Sequence, residues 1–154
     1  MGISKSEYVT QMEKCKESLY RIAYSYMNNQ TLAMDALDEA IYKGYLNRKK
    51  LKNTDFFKTW LTRIVINECL QMLRKRKREI LIDQIPEEAT EEYDRLPMKE
   101  AIRKLSEDLS NIIYLRFYGR YTLAETAVIL ELPPGTVATR ERRALTLLRL
   151  ELEE

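Results

Sequence analysis

An all-helical chain built in two parts is the fold class this sequence predicts, and three observations predict it. Only four Gly and four Pro punctuate the 154 residues, which argues for an almost entirely helical protein. Apolar side chains recur at spacings of three and four, the period of a helix buried along one side. Composition changes sharply after residue 78, from a basic run to an acidic stretch carrying Pro86 and Pro97, and such a change marks a linker. The expected organisation is a helical domain over residues 1–80, an acidic linker over 81–97 and a second helical domain over 98–154.

The first helix is expected over residues 6–27, where Tyr8, Met12, Cys15, Leu19, Ile22, Ala23 and Tyr26 form an apolar stripe. Asn28, Asn29 and Gln30 break it, and Thr31 is the expected cap of a second helix running to about Leu46. That helix places Leu37, Ile41 and Tyr45 on one face and displays Asp35, Asp38 and Glu39 elsewhere. On charge pattern alone those acids fit a solvated face.

A long helix over residues 53–78 follows, with Asn53 or Thr54 as N-cap, Asp55 near the positive pole and a basic tail at the negative pole. At about 100° per residue, Phe56, Trp60, Arg63, Asn67, Gln71 and Arg74 fall on one stripe. The flanking faces are apolar, with Phe57, Leu61, Ile64, Val65 and Met72 on one side and Ile66, Leu70 and Leu73 on the other. Two rings, two amides and two guanidiniums are the groups that stack an unpaired base, read its edge and hold its phosphate. The same residue types also occur as capping and surface residues. Charge favours the nucleic-acid reading: residues 46–79 hold eleven Lys or Arg against three acids, a local net of +8 in a chain whose total is +2.

Other chemistries find little support. Histidine is absent and the two cysteines, Cys15 and Cys69, lie far apart in helical patterns, so neither a zinc set nor a His-activated nucleophile can be assembled. No glycine-rich phosphate loop is present, and nothing singles out a catalytic pair among the 24 acids. No catalytic residue, metal or cofactor is therefore expected. The absence of a long apolar run or a hydrophobic leader, together with two buried thiols, predicts a cytoplasmic protein without a membrane span. The opening MGISKS loosely matches a myristoylation signal, a six-residue pattern on which no prediction is based.

From Glu79 to Pro97 the sequence carries seven acids against one base, Arg95. Such a strip is expected to screen the basic helix when no nucleic acid is bound. The second half then reads as helical segments. MKEAIRKL is the first, and Ser106 opens the next, with Leu109, Ile112, Ile113 and Phe117 on its buried face. After a turn at Gly119–Tyr121, Thr122 and Glu125 form a capping box for a short helix, ELPP makes a tight connection, and a last helix covers 135–154. Short helix, turn and longer helix with Arg140, Arg142 and Arg143 clustered near its start is the helix-turn-helix arrangement, though a plain helical hairpin has the same pattern.

Three stretches together carry a resemblance. FKTWLTRIVINECLQMLRKRKR is similar to the −10-binding segment of the extracytoplasmic-function sigma factors of bacterial RNA polymerase. LYRIAYSYM with DALDEAIYKGY resembles that family's polymerase-binding stretch, and LPPGTVATRERRAL its upstream recognition helix. The resemblance implies an N-terminal helical domain and a C-terminal helix-turn-helix domain joined by a linker. It places Asn67 at a pocket for a flipped −10 base, with Lys58 and Trp60 in the adjacent KTW element, and the stripe of Phe56, Arg63, Gln71 and Arg74 on the same surface. Asp35, Asp38 and Glu39 would bind the β′ clamp helices of core polymerase, although Asp38 stands where Gln is usual. Thr139, Arg142 and Arg143, with neighbouring Arg140, would face the −35 element.

Four residues depart from the family pattern: Ala138 replaces a base, Glu131 a turn Gly, and Thr126 and Glu141 apolar residues. They put −35 recognition in question. The function implied is transcription initiation without enzymatic activity, with core RNA polymerase, promoter DNA and an anti-sigma factor as partners. A stand-alone helix-turn-helix regulator and a helical protein-interaction module are the rival readings.

Overall fold

A computed structural model describes residues 2–83 and 97–153. Seven α-helices account for most of them: α1 (Lys5–Met27), α2 (Gln30–Leu46), α3 (Phe57–Asp83), α4 (Pro97–Arg103), α5 (Glu107–Ile113), α6 (Leu123–Leu130) and α7 (Pro134–Glu153). The chain divides into two compact units, Met1–Glu87 and Glu88–Glu154. α3 runs to Asp83, past the composition break after residue 78 and into the linker expected from residue 81; residues 84–96 of that linker lie outside the described residues.

In the first unit α1, α2 and α3 each pack against the other two. Ser4 caps α1 by accepting a hydrogen bond from the Glu7 amide at 3.1 Å. α1 ends where Asn28 takes the left-handed conformation (φ 52°) and returns its N–H to the Tyr24 carbonyl at 2.8 Å. Asn29 is then extended, and its side chain accepts from the Leu32 amide at 2.9 Å. The expected cap at Thr31 is thus corrected to Asn29: the left-handed exit at Asn28 leaves the next residue in the cap conformation, and Thr31 is already helical.

Leu19, Ile22, Leu37, Leu61 and Val65 are fully buried at the centre of this unit. Tyr8 is buried beside them, donates its hydroxyl to the Ile41 carbonyl at 2.6 Å, and meets Phe57 edge-on at 5.5 Å. Gly44 on α2 makes this approach possible, because a Cβ there would lie 2.6 Å from the Tyr8 hydroxyl and 2.9 Å from Leu61 Cδ1. Gly2 is equally confined: a Cβ would stand 2.1 Å from Lys49 Cα, a steric reason for glycine that does not involve lipid. Both cysteines are buried, and burial, reinforced by the Glu68 carboxylate, pushes the Cys69 thiol up to about 12.

In the second unit α7 packs on α4, α5 and α6. Its core contains Ile112, Ala127 and Val137, with Leu123, Leu130 and Leu132 against them. Phe117, expected on the buried face of α5, is instead 53% exposed. The reason is a π-helical turn at Tyr114–Tyr118, in which Gly119 donates to the Tyr114 carbonyl at 2.8 Å. The wide turn breaks the three-four register and puts Tyr114 and Leu115 in the core.

Replacing Gly44 with Ala should gain about 1 kcal/mol of helix propensity but lose about 1–3 kcal/mol to overpacking against Tyr8 and Leu61. Thermal denaturation of Gly44→Ala is expected to show a lower Tm than wild type. A higher Tm would contradict the close three-helix crossing.

Candidate nucleic-acid and polymerase interfaces

Asn53 starts the segment that leads into α3, its side chain accepting from the Asp55 amide at 3.0 Å across a 3-10 turn, Thr54–Phe56. Phe57, Leu61, Val65, Ile66 and Cys69 turn inward and are buried. Thr62, also fully buried, donates its hydroxyl to the Lys58 carbonyl at 2.7 Å, so the inward face carries no unsatisfied hydroxyl there.

With that face fixed, the opposite stripe lies open. Phe56 is 50% exposed, Asn67, Gln71 and Arg74 are exposed, and Trp60 and Arg63 are half-buried. Trp60 packs on Phe57 at 5.9 Å between ring centroids, which holds the indole at the surface. Lys58 is not part of this row. Nine residues from Asn67, it projects from the far side of α3, where its charge opposes the effect of burial on the Cys15 thiol.

α2 carries Asp35, Asp38 and Glu39, all exposed. The same face continues through Tyr42 and Leu46, each 57% exposed, at spacings of three and four from Glu39. Sequence reasoning missed these two, although the periodicity that grouped the acids extends to them. It also missed an ion pair between Lys43 of α2 and Glu68 of α3, whose carboxylate is only 7% exposed. The turn after α2 is basic: Arg48 stacks over the Tyr45 ring at 4.4 Å and donates to the Tyr45 carbonyl at 2.9 Å, and Lys49 and Lys50 are exposed.

In the second unit the helix-turn-helix is α6, a short turn and α7. Thr122 and Glu125 form both bonds of the capping box, at 3.0 and 2.8 Å. Glu131 takes the left-handed conformation at the turn (φ 55°), a position where a side chain costs about 1–2 kcal/mol relative to Gly. Thr126 is fully buried and satisfied by donating to the Thr122 carbonyl at 2.8 Å. On α7, Thr139 and Arg142 are exposed neighbours, 3.5 Å apart between Nη2 and Oγ1. Arg140 and Arg143 line a groove with Leu105, Leu109 and Leu147. Arg140 falls about 160° round α7 from Arg142, while Arg143 falls about 40° from Thr139, and half-buried Ala138 adds no charge.

The geometry defines a two-part helical DNA-binding protein, and comparison with known proteins agrees. The family description Sigma-70 region 2 matches residues 12–79, and Sigma-70, region 4 matches residues 101–150. The RNA polymerase sigma factor SigV of Bacillus subtilis (strain 168) is 31% identical over 97% of this chain and 93% of its own length. The ECF RNA polymerase sigma factor SigW of the same organism is 27% identical, over 90% of this chain and 85% of its own. Among solved structures, the sigma factor RpoE from Bartonella quintana, crystallised with the anti-sigma factor NepR, superposes with a TM-score of 0.75 at 24% identity, covering 96% of this chain and 97% of that one. CnrH in complex with the cytosolic domain of CnrY gives 0.74 at 18% identity, covering 97% and 90%; both share the fold. This chain belongs to the extracytoplasmic-function sigma factors, which direct promoter recognition and transcription initiation by RNA polymerase.

The departure at Glu141 has a structural answer. The residue lies in line with buried Val137, Ala144 and Leu148, and its side chain is 14% exposed. Arg116, from the π-helical turn, donates Nε to Glu141 Oε1 at 2.9 Å and Nη1 to the Tyr121 carbonyl at 2.7 Å. A partly buried ion pair thus replaces an apolar contact and ties α7 to the end of α5. Removing one partner strands the other charge, so Glu141→Ala is expected to cost about 1–3 kcal/mol in denaturant unfolding of the second unit. The double replacement Arg116→Met with Glu141→Leu should stay within about 1 kcal/mol of wild type. A harmless Glu141→Ala would show that the pair contributes nothing to holding α7.

Proposed function

We infer that the residue-level division of labour in this sigma factor follows the two exposed faces of its first unit. The acidic face of α2, with Asp35, Asp38 and Glu39, docks on the β′ clamp helices of core RNA polymerase. The α3 stripe of Phe56, Trp60, Arg63, Asn67, Gln71 and Arg74 holds the unwound non-template strand of the −10 element, with Asn67 reading a flipped base. Lys58, at the start of α3 and on its far side, adds to the positive potential of the segment. Thr139 and Arg142 of α7 meet the −35 element in duplex form, and Arg140 and Arg143 add positive potential beside it. The expected domains, residues 1–80 and 98–154 with an acidic linker between them, are the units of this division.

The observation that carries the reading is the sidedness of α3. Rings, amides and guanidiniums stay on the side of the helix opposite buried Phe57, Leu61, Val65 and Cys69, within a segment of net charge +8. No catalytic group is needed: extruding a base costs a few kcal/mol, stacking returns about 1–3 kcal/mol per base, and an amide on a base edge adds discrimination of similar size. The protein acts without enzymatic chemistry of its own, in the cytoplasm with the polymerase; among the described residues no helix is long and apolar enough to cross a membrane. An anti-sigma factor is a further partner, a reading supported by the complex in which the structural neighbour RpoE was crystallised with the anti-sigma factor NepR.

Asn67→Ala is expected to weaken binding of the reconstituted holoenzyme to a partly melted promoter fork by roughly 5- to 100-fold. Its affinity for core polymerase should not change, and Glu39→Lys should show the opposite pattern. Equal loss of both activities, or of neither, in Asn67→Ala would overturn the role given to this residue. A preference for intact duplex without polymerase would favour a stand-alone regulator.

A further inference from the structure

Between the two faces of the first unit lies a side-chain pair that neither face accounts for. Lys43 of α2 and Glu68 of α3 form an ion pair with the carboxylate 7% and the ammonium side chain 41% exposed. Glu68 is the next residue after Asn67, about 100° further round the helix, so it stands at the seam between the exposed stripe and the buried face. Lys43 lies one turn beyond Glu39, at the seam between the acidic face of α2 and its core side, and it also feels the Glu39 carboxylate. Within residues 46–79, Glu68 is one of three acids against eleven bases. An uncompensated carboxylate at this position would repel the phosphates that the surrounding bases attract, and it would seek water by displacing α3 from α2.

We propose that the Lys43–Glu68 bridge positions the strand-capture stripe: it locks α3 to the polymerase-docking helix and neutralises a carboxylate lying directly beside Asn67. Lys43 and Glu68 are positioning residues, acting through the stripe rather than touching a base. Because the same bridge joins the docking helix to the capture helix, it sets the angle at which a polymerase-bound chain presents its stripe. The proposal rests on the reading of α3 given above.

The test uses full-length protein assembled with core polymerase and three readouts: affinity for a melted promoter fork, affinity for core polymerase, and Tm. Lys43→Met, which strands the Glu68 carboxylate, should weaken fork binding by roughly 3- to 20-fold, and Glu68→Gln, which loses the bridge but leaves no carboxylate beside Asn67, should weaken it less; core affinity should stay within about twofold of wild type in both. The exchange of Lys43→Glu with Glu68→Lys should restore most of the lost fork affinity, and the loss in Lys43→Met should persist at temperatures well below its Tm, where a role in global stability alone would leave fork binding unchanged. Lys43→Arg keeps the charge and should bind forks as wild type does, which keeps the test decisive even where the Glu68 variant melts early. Wild-type fork binding by Lys43→Met, or no recovery in the folded exchange variant, would overturn the proposal. Asn67→Ala in the same assay separates the two levels: if it too leaves fork binding unchanged, the fault lies with the reading of the stripe.

Discussion

Phe57, Leu61, Val65 and Cys69 of α3 have to be inside, and this requirement sets the rest of the first unit. Four apolar side chains on one flank of a rigid helix fix its rotation, since burying each is worth about 1.5–3 kcal/mol. Once they are buried against α1 and α2, the residues on the other flank have no choice of side. Phe56, Asn67, Gln71 and Arg74 are outside because their neighbours are within. Tyr8 and Gly44 serve the same constraint, letting the three helices approach closely enough to hold α3 in that rotation.

Charge completes what packing begins. A chain with a total of +2 concentrates +8 in residues 46–79, so a polyanion is drawn to one helix and its approach, while α2 presents acids a short distance away in sequence. The two faces suit partners of opposite charge, and the docking of one need not obstruct the other. In the second unit the same economy is visible on a smaller scale. Pro134 begins α7 and Glu131 accepts a strained backbone to make the turn, while Arg116 and Glu141 hold the helix with an ion pair in line with its buried apolar side chains.

Features set by local chemistry were legible in the sequence. The capping box of Thr122 and Glu125 and the stripe on α3 each depend on residues within a few positions of one another, and the structure contains both; Asn53, one of two caps expected for the long helix, instead caps the 3-10 turn that precedes it. What could not be read depends on distant partners or on backbone geometry. Asn29 and Thr31 are both acceptable caps by type, and only the left-handed exit at Asn28 decides between them. The π-helical turn that exposes Phe117 has no three-four signature. The pairs Lys43–Glu68 and Arg116–Glu141 each join residues 25 positions apart, and no spacing rule along one helix reveals them. Arg140 illustrates the difference between proximity in sequence and placement: it is two residues from Arg142 but lines another side of α7.

On the proposed reading, the open flank of α3 touches a single strand and does so only when the promoter is melted. A photoreactive residue placed at exposed Gln71, in holoenzyme assembled on defined templates, reports this contact directly. The account predicts cross-links to the non-template strand of the −10 element on a forked promoter and far fewer on intact duplex. Cross-links confined to polymerase subunits, or equal labelling of both strands on duplex, would contradict it.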